Sequence, residues 1–225
     1  MNYIFQPYNY NLTDPESIPN LFLKHLSLVG FTMLISIIIA IPIGILVARY
    51  HRLYLPVVSI SGLLYTIPSI AAFALLIPIF GVNPIPIFGL SLTAIIPLVV
   101  YNQLVLIRNT AAAVNGIDPL LIEVGRAMGM KPLQILFRVT LPLALPVIVA
   151  GIRIATVTTV GIAALTSLVG QSQLGDLIFQ NLASGDFNTV LGGAILIAFL
   201  AILADLLLLA LQIALNRGRS ALSVA

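Results

Sequence analysis

Residues 53–107 decide the fold of this chain. They read LYLPVVSISGLLYTIPSIAAFALLIPIFGVNPIPIFGLSLTAIIPLVVYNQLVLI and contain no Asp, Glu, Lys or Arg. A single α-helix of this length would extend about 80 Å, whereas the hydrocarbon core of a bilayer is about 30 Å thick. The run GVNPIP at 81–86 combines glycine, asparagine and proline, a composition typical of a turn. The stretch therefore predicts two membrane spans, at about 57–80 and 87–107.

The whole chain has the composition of a membrane protein. Of its 225 residues, 60% are hydrophobic and 8% are charged, whereas soluble domains have about 25% charged residues. Further apolar runs predict spans at about 26–48, 143–165 and 190–215, which makes five spans in a single domain of residues 1–225. The absence of cysteine excludes disulfides, and the few scattered basic residues argue against nucleic-acid binding.

The basic residues predict the orientation. In a five-span topology, eight of them fall on one side of the membrane: Arg49, Arg52, Arg108, Arg126, Lys131, Arg138, Arg217 and Arg219. Lys24 falls clearly on the other side. Because Lys and Arg are enriched in cytoplasmic loops, we expect the N-terminus outside and the C-terminus in the cytoplasm.

The longest polar segment, a cytoplasmic loop at 108–142, contains a predicted amphipathic helix. Asp118-Pro119 is typical of a helix start, and Gly129 of a helix end. At helical spacing, four apolar side chains share one stripe: Leu120, Val124, Ala127 and Met128. Glu123 and Arg126 lie beside that stripe. Such a helix either rests on the membrane surface or docks into a groove of a partner protein, and the pattern leaves both open.

The spacing of this loop resembles the EAA loop of bacterial ABC import permeases. That motif is Glu-Ala-Ala, three residues, Gly, nine residues, Ile, one residue and Leu-Pro. The matching residues are Glu123, Val124, Gly125, Gly129, Val139, Leu141 and Pro142. Valine and glycine stand in place of the two alanines, and valine in place of the isoleucine. These replacements are conservative in size, so the docking role is expected to persist.

The resemblance extends beyond the loop. Residues 66–69, 108–110, 128–130, 150–153 and 174–179 are similar to the osmoprotectant branch of these permeases, which carries glycine betaine, carnitine, choline and related compounds. The matches cover roughly residues 30–212. The resemblance implies an all-α integral membrane protein with five transmembrane helices in the type I ABC importer permease (MetI-like) fold. It also implies a multi-pass protein of the bacterial inner membrane.

The resemblance also implies partners. They are a second permease subunit, identical or paralogous, two cytoplasmic ABC ATPases and an extracytoplasmic substrate-binding protein, with membrane lipid around the permease. Because the chain has no Gly-x-x-x-x-Gly-Lys-Ser/Thr motif, we expect ATP and magnesium to be bound by the ATPase. We expect no cofactor, metal or catalytic residue in this chain. The expected ATPase-coupling residues are Glu123, Gly125, Ala127, Gly129, Leu141 and Pro142.

Charged and aromatic residues within the spans are candidates for the translocation path. Arg153 and Asp205 lie at similar depth in the fourth and fifth spans, where an unpaired charge is costly, so we expect them to face each other or a shared water-filled cavity. They form either a gate or a structural ion pair. Tyr65 and Tyr101 provide aromatic faces for a quaternary ammonium group, or serve only in packing. Pro68 lies inside a predicted span and predicts a kink.

Two other classes of function fit the sequence less well than a permease does. An ion-coupled secondary carrier would use Asp205 as its ion site, but such carriers usually contain paired repeats, which this sequence lacks. A membrane enzyme would need a nucleophile with a base or a metal cluster, and His25 and His51 have no second ligand at useful spacing. An ABC permease for another small solute, such as an amino acid or an ergothioneine-like betaine, remains an alternative.

Overall fold

The computed structural model describes residues 2–82, 84–85 and 89–220. The described residues form nine α-helices: α1 (Ile18–Arg49), α2 (His51–Thr66), α3 (Ser69–Phe80), α4 (Leu92–Asn115), α5 (Pro119–Ala127), α6 (Pro132–Ile135), α7 (Leu141–Ala163), α8 (Asp176–Leu182) and α9 (Phe187–Ser220). Strands β1 (Pro84–Ile85) and β2 (Leu90–Ser91) form an antiparallel pair between α3 and α4.

Five crossings of a membrane fit the helix lengths. The helices α1, α4 and α9 and the helical run Pro132–Val169 are each long and apolar enough to span a bilayer. The helices α2 and α3 pass the same test only as a pair. The predicted all-α membrane fold is thus confirmed. We call the end of the bundle that carries α5 and α6 the loop end, and the opposite end, which carries residues 2–17, the N-terminal end.

The second crossing is a broken helix rather than a continuous one over 57–80. The axes of α2 and α3 meet at 89°, with Ile67 and Pro68 at the break. Proline has no N–H to donate and disfavours a helical conformation in the preceding residue, so Ile67 takes an extended conformation with ψ of 127°. The hydroxyl of Tyr101 donates a hydrogen bond of 2.7 Å to the Ile67 carbonyl. A buried side chain of α4 therefore stabilises the break.

The start of α1 and the end of α4 differ from the predicted boundaries. α1 begins at Ile18, ahead of the predicted residue 26, and α4 continues to Asn115, so the first residues of the predicted loop at 108–142 are helical. Good helix formers, including three alanines at 111–113, extend α4. Gly81, with φ of 63°, ends α3 at the predicted turn. Residues 83 and 86–88 of that turn and of the next predicted span lie outside the described residues.

The fourth crossing begins before the predicted residue 143. A π-helical turn at Leu136–Thr140 joins α6 to α7, so the helix continues through Leu141-Pro142. Pro142 cannot donate a backbone hydrogen bond to the preceding turn, and its ring crowds the carbonyl four residues earlier. The wider π turn accommodates this proline within an otherwise helical segment.

The core is formed where α4 packs between α1 and α7. A Cβ on Gly44 would lie 2.5 Å from Thr110 Cβ, and a Cβ on Gly151 would lie 2.6 Å from Asn109 Cβ. The two glycines therefore permit the close approach of α1 and α7 to α4. Such small residues are typical of helix contacts in membranes. α7 packs in turn on α9, only a small part of which is buried. One layer of helices therefore surrounds α4, and most of the surface of α9 faces outward.

A polar network joins three of these helices within the core. The Asn102 side chain of α4 donates a hydrogen bond of 3.2 Å to Ser36 Oγ of α1 and accepts one of 2.9 Å from Thr159 Oγ1 of α7. All three residues are buried. Hydrogen bonds between membrane helices specify which faces meet, so this network fixes the register of α1, α4 and α7.

Candidate coupling surface and membrane-embedded site

The helix α5 is closed at both ends by its own sequence. The carboxylate of Asp118 accepts a hydrogen bond of 2.9 Å from the Leu120 backbone N–H, as the N-cap prediction required. At the other end, Gly129 has φ of 76° and donates its N–H to the Arg126 carbonyl, while Met130 donates to the Gly125 carbonyl. These two bonds form a Schellman motif. The predicted start and end of this helix are confirmed.

One face of α5 is uncovered in the described part of the chain. Leu120, Val124 and Met128 are 60%, 49% and 77% exposed, and Glu123 and Ala127 are exposed beside them. We call these five residues the coupling face. An apolar stripe flanked by a carboxylate, on a rigidly capped helix, has the chemistry of a helix that docks into a groove of a partner.

The opposite face of α5 is fixed to the start of the fourth crossing. Gly125 is buried, and a Cβ built on it would lie 3.4 Å from Ile135 Cγ1 and 3.5 Å from Met130 Sδ. Leu141 packs against a small apolar cluster that includes Ile117 and Ala144. Packed side chains, which resist deformation, thereby connect α5 and the end of α4 to the start of the fourth crossing.

Arg153 and Asp205 face each other in a bidentate ion pair. Arg153 Nε and Nη2 each donate a hydrogen bond of 2.9 Å to one carboxylate oxygen of Asp205, which confirms the predicted pairing. Arg153 Nη1 donates to Gln212 Oε1 at 2.9 Å. The pair joins α7 to α9, and its side chains are 21% and 35% exposed. Two paired charges accessible at this depth fit a position on an aqueous cavity or a subunit contact.

Tyr65 and Tyr101 lie together at the break between α2 and α3. Their ring centroids are 5.7 Å apart and the rings are nearly perpendicular. Tyr101 is buried and anchors the Ile67 carbonyl, whereas Tyr65 is 40% exposed. The two predicted path residues therefore have different roles in the fold, and Tyr65 is the one with an accessible aromatic face.

Several polar residues of the membrane region were not singled out by the sequence interpretation. Sequence patterns alone indicate no role for Asn102 or Gln173, and neither metal binding nor catalysis for His25. All three are buried and hydrogen-bonded. A polar residue in an apolar run is itself a signal of an internal partner, although the identity of that partner is not encoded locally. Among the described residues, no three His, Cys, Asp or Glu side chains form a metal-ligand group.

A five-crossing helical bundle that presents a capped amphipathic helix at one end has the architecture expected of a membrane permease subunit. The chain belongs to the family described as "Binding-protein-dependent transport system inner membrane component", whose model matches residues 40–220. It is accordingly a component of the bacterial inner membrane and a permease subunit of an ABC transport system.

Sequence similarity to permeases of other bacteria supports this membership. The osmoprotectant import permease protein OsmW of Salmonella typhimurium is 38% identical over 213 residues, which cover 92% of this chain and 96% of OsmW. The glycine betaine/carnitine/choline transport system permease protein OpuCD of Bacillus subtilis is 38% identical over 188 residues, covering 83% of this chain and 79% of OpuCD.

The fold also matches a solved structure of a transporter. A chain of the methionine ABC transporter MetNI, in an inward-facing conformation, superimposes with a TM-score of 0.77. The superposition covers 88% of this chain and 95% of that chain, at 28% sequence identity. The MetI-like five-helix fold implied by the sequence resemblance is therefore confirmed.

Proposed function

We propose that this chain is the permease subunit of an ATP-driven importer for quaternary ammonium osmoprotectants such as glycine betaine, carnitine or choline. The observation that carries the proposal is the coupling face of α5, capped at both ends and uncovered, in a chain similar to OsmW and OpuCD over most of its length. The chain works with a second permease subunit, either a second copy or a paralogue. Two cytoplasmic ATPases bind ATP and magnesium, and an extracytoplasmic binding protein delivers the cargo.

The coupling step follows from the packing of α5. The coupling face enters a groove of the ATPase, with Glu123 paired to a basic groove residue and the apolar stripe buried. When the ATP-bound ATPases close, α5 moves with them. Because Gly125 packs on Ile135, and Leu141-Pro142 continues into α7, the motion reaches the fourth crossing as a rigid-body rotation. The pore then opens outward, and ATP hydrolysis resets it.

The orientation is part of this proposal. With the loop end in the cytoplasm, α5 meets the ATPases and the N-terminal end meets the binding protein. The concentration of basic residues at the loop end supports this arrangement.

The cargo passes beside the break in the second crossing. A discontinuous helix is tolerated at membrane depth where it lines a cavity or is covered by protein. Tyr65 there presents an exposed ring, which attracts a methylated ammonium group through a cation–π interaction. Arg153 and Asp205 either gate this path or hold α7 to α9 as a structural ion pair.

The test is uptake by the reconstituted importer. The chain, its ATPase and its second permease subunit are placed in proteoliposomes with ATP inside, and the binding protein and radiolabelled glycine betaine are added outside. We expect uptake that requires ATP and persists when ionophores collapse the sodium and proton gradients. Uptake that persists without ATP and stops on collapse of the gradients would instead establish an ion-coupled carrier.

Glu123→Gln and Asp118→Asn provide a matched pair in the same assay. Glutamine at 123 keeps the size of the side chain and removes the charge from the coupling face, so ATP-driven uptake and copurification of the ATPase should both fall. Asparagine at 118 still caps α5 and should leave both close to wild type. ATP-driven uptake of a labelled amino acid or ergothioneine-like betaine, with no uptake of labelled glycine betaine, carnitine or choline, would reassign the cargo.

A further inference from the structure

A groove of about 870 Å³ lies on the other side of α5 from the coupling face, where the ends of α1 and α4 meet α5 and α6. Residues that line it include Pro42, Leu46, Arg49, Ile122, Arg126 and Ile135. We call this cavity the basic groove. Arg49 is the last residue of α1, a membrane-spanning helix, so the groove lies at the boundary between hydrocarbon and water.

The charges of the basic groove are uncompensated. Arg49 and Arg126 are the charged residues among its described lining, and no carboxylate is there. Within the described part of the chain, neither guanidinium has a hydrogen-bonded or ion-paired partner, although that of Arg49 lies 5.7 Å from the centre of the Tyr50 ring. Two unpaired cations at a mostly apolar cavity favour an anion that also has an apolar part.

A continuous apolar track leads away from the groove along α1. Leu34, Ile38, Pro42 and Leu46 recur at every fourth residue and are all exposed. Residues at this spacing lie above one another on one face of a helix. The track extends about 18 Å from Leu46 toward the middle of the span, comparable to one leaflet of the hydrocarbon core.

The basic groove uses different side chains from the coupling face. Pro119, Ile122 and Arg126 share the groove side of α5, at spacings of three and four residues. Leu120 and Val124 lie on the coupling face. A ligand in the groove and an ATPase on the coupling face can therefore be bound at the same time.

From these observations we infer that the basic groove binds an anionic phospholipid, with its phosphate between Arg49 and Arg126 and one acyl chain along the Leu34–Leu46 track. A phosphodiester matches the guanidinium pair, because arginine recognises phosphate through parallel N–H donors. Basic pockets between membrane helices bind anionic headgroups by the same chemistry. The bound lipid fills the space between α5 and α1 and so supports the coupling helix from its inner side.

The first experiment measures lipid binding to the full chain by native mass spectrometry, with phosphatidylglycerol and phosphatidylcholine of identical acyl chains. We expect phosphatidylglycerol to be retained preferentially. The double variant R49Q/R126Q should bind it about 30-fold more weakly, since each basic side chain near an anionic headgroup contributes roughly one kcal/mol. The variant R49K/R126K keeps the charge and should retain most of the binding, which separates loss of charge from misfolding.

The matched control is R108Q/R138Q, which removes two arginines of the loop-end half that do not line the groove. It should bind phosphatidylglycerol as the wild type does. Three results would overturn the proposal. They are equal weakening of phosphatidylglycerol binding in both glutamine double variants, equal retention of phosphatidylcholine and phosphatidylglycerol by the wild type, and equally strong binding of glycerol phosphate, which has no acyl chains. Loss of the lipid when the importer assembles would also overturn it, because the groove would then be a protein interface.

The second experiment tests the acyl track, using the absence of tryptophan from the chain. A single reporter, Ile38→Trp, should be quenched by brominated phosphatidylglycerol more strongly than by brominated phosphatidylcholine at the same mole fraction. The control reporter Ile202→Trp lies on the exposed surface of α9 and should be quenched equally by both lipids. Equal quenching at residue 38 would overturn the assignment. Neither experiment depends on the identity of the cargo.

Discussion

His25 of α1 and Gln173 of the segment before α8 are hydrogen-bonded to each other, although 148 residues separate them in the sequence. Both side chains are fully buried. The other ring nitrogen of His25, Nε2, contacts the Val160 carbonyl of α7 at 3.1 Å. The imidazole therefore links the first crossing, the fourth crossing and the segment that follows it.

Gln173 is held in turn by the backbone around it. Its side-chain nitrogen donates to the carbonyls of Ala163 and Ala164 at 3.0 Å, and its oxygen accepts from the Gly175 N–H at 2.8 Å. The carbonyl groups at the end of a helix have no intrahelical partner, and here a side-chain amide supplies one. The C-terminal end of α7 is thus closed by a hydrogen-bonded polar cluster.

Replacing His25 with alanine should destabilise the fold. The change opens a cavity, removes the hydrogen bond to Gln173 and removes the contact with the Val160 carbonyl, which together cost about 2–4 kcal/mol. The measurement is denaturant titration of the purified chain in detergent micelles. His51→Ala is the control, because His51 is exposed at the loop end and should change stability little.

A double-mutant cycle with Gln173→Leu tests whether the two residues act together. Because each side chain is a partner of the other, the losses should be non-additive by about 0.5–3 kcal/mol. Strictly additive effects would contradict a direct interaction.

The two glycines of the coupling loop should respond oppositely to alanine. At Gly125, a methyl group meets Ile135 and Met130 at ordinary contact distance, so Gly125→Ala should fold normally and gain up to about 1 kcal/mol of helix propensity. At Gly129, φ of 76° disfavours any side chain, so Gly129→Ala should cost about 1–2 kcal/mol. Thermal unfolding and copurification of the ATPase measure both variants. Equal tolerance at the two positions would contradict the Schellman geometry.

The part of the site that follows from local chemistry was predictable. Asp118 and Gly129 mark the ends of α5. The first turn of a helix needs an acceptor for its free N–H groups, and the last turn is closed by a residue in the left-handed conformation, so both signals are local in the sequence. The Arg153–Asp205 pair was predictable for a different reason: an isolated charge within a membrane is so costly that each charge implies a nearby partner.

The rest depends on tertiary contacts that leave no local pattern. Proline at 68 predicts a kink, but the 89° angle depends on how Tyr101 and the rest of α4 pack against the break. The partnership of His25 with Gln173 depends on the approach of segments far apart in the chain. The end of α4 also lies beyond its predicted position. Alanine-rich residues that follow the apolar run continue the helix, and no change in hydrophobicity marks the membrane boundary.

Removing one member of the ion pair should reduce assembly as well as uptake. Asp205→Ala leaves the Arg153 guanidinium with Gln212 as its described side-chain partner, so we expect the amount of assembled importer to fall on the order of tenfold. Quantitative immunoblotting of the membrane fraction measures assembly, and ATP-driven uptake is measured in parallel.

The charge-swapped double variant R153D/D205R distinguishes a structural role of the ion pair from a role in the translocation path. It restores attraction between α7 and α9, so it should recover assembly if the pair is structural. Recovered assembly without uptake would assign the pair to the translocation path. Normal assembly and normal uptake in Asp205→Ala would exclude both roles.

Tyr65 should contribute to cargo recognition through its aromatic face rather than its hydroxyl. The ring is 40% exposed at the break between α2 and α3, whereas the Tyr101 ring against its edge is buried. Tyr65→Phe keeps the π face and should leave uptake of glycine betaine unchanged. Tyr65→Leu keeps apolar bulk but loses the cation–π attraction, so the concentration of loaded binding protein that gives half-maximal uptake should rise about 2- to 30-fold.

Uptake by the reconstituted importer measures this effect, with the concentration of loaded binding protein varied. ATPase stimulation by the loaded binding protein should stay normal in Tyr65→Leu, because residue 65 lies in α2 and not in the coupling loop. If Tyr65→Phe and Tyr65→Leu behave alike, the ring has a packing role only, and the path must bind the ammonium group through other residues.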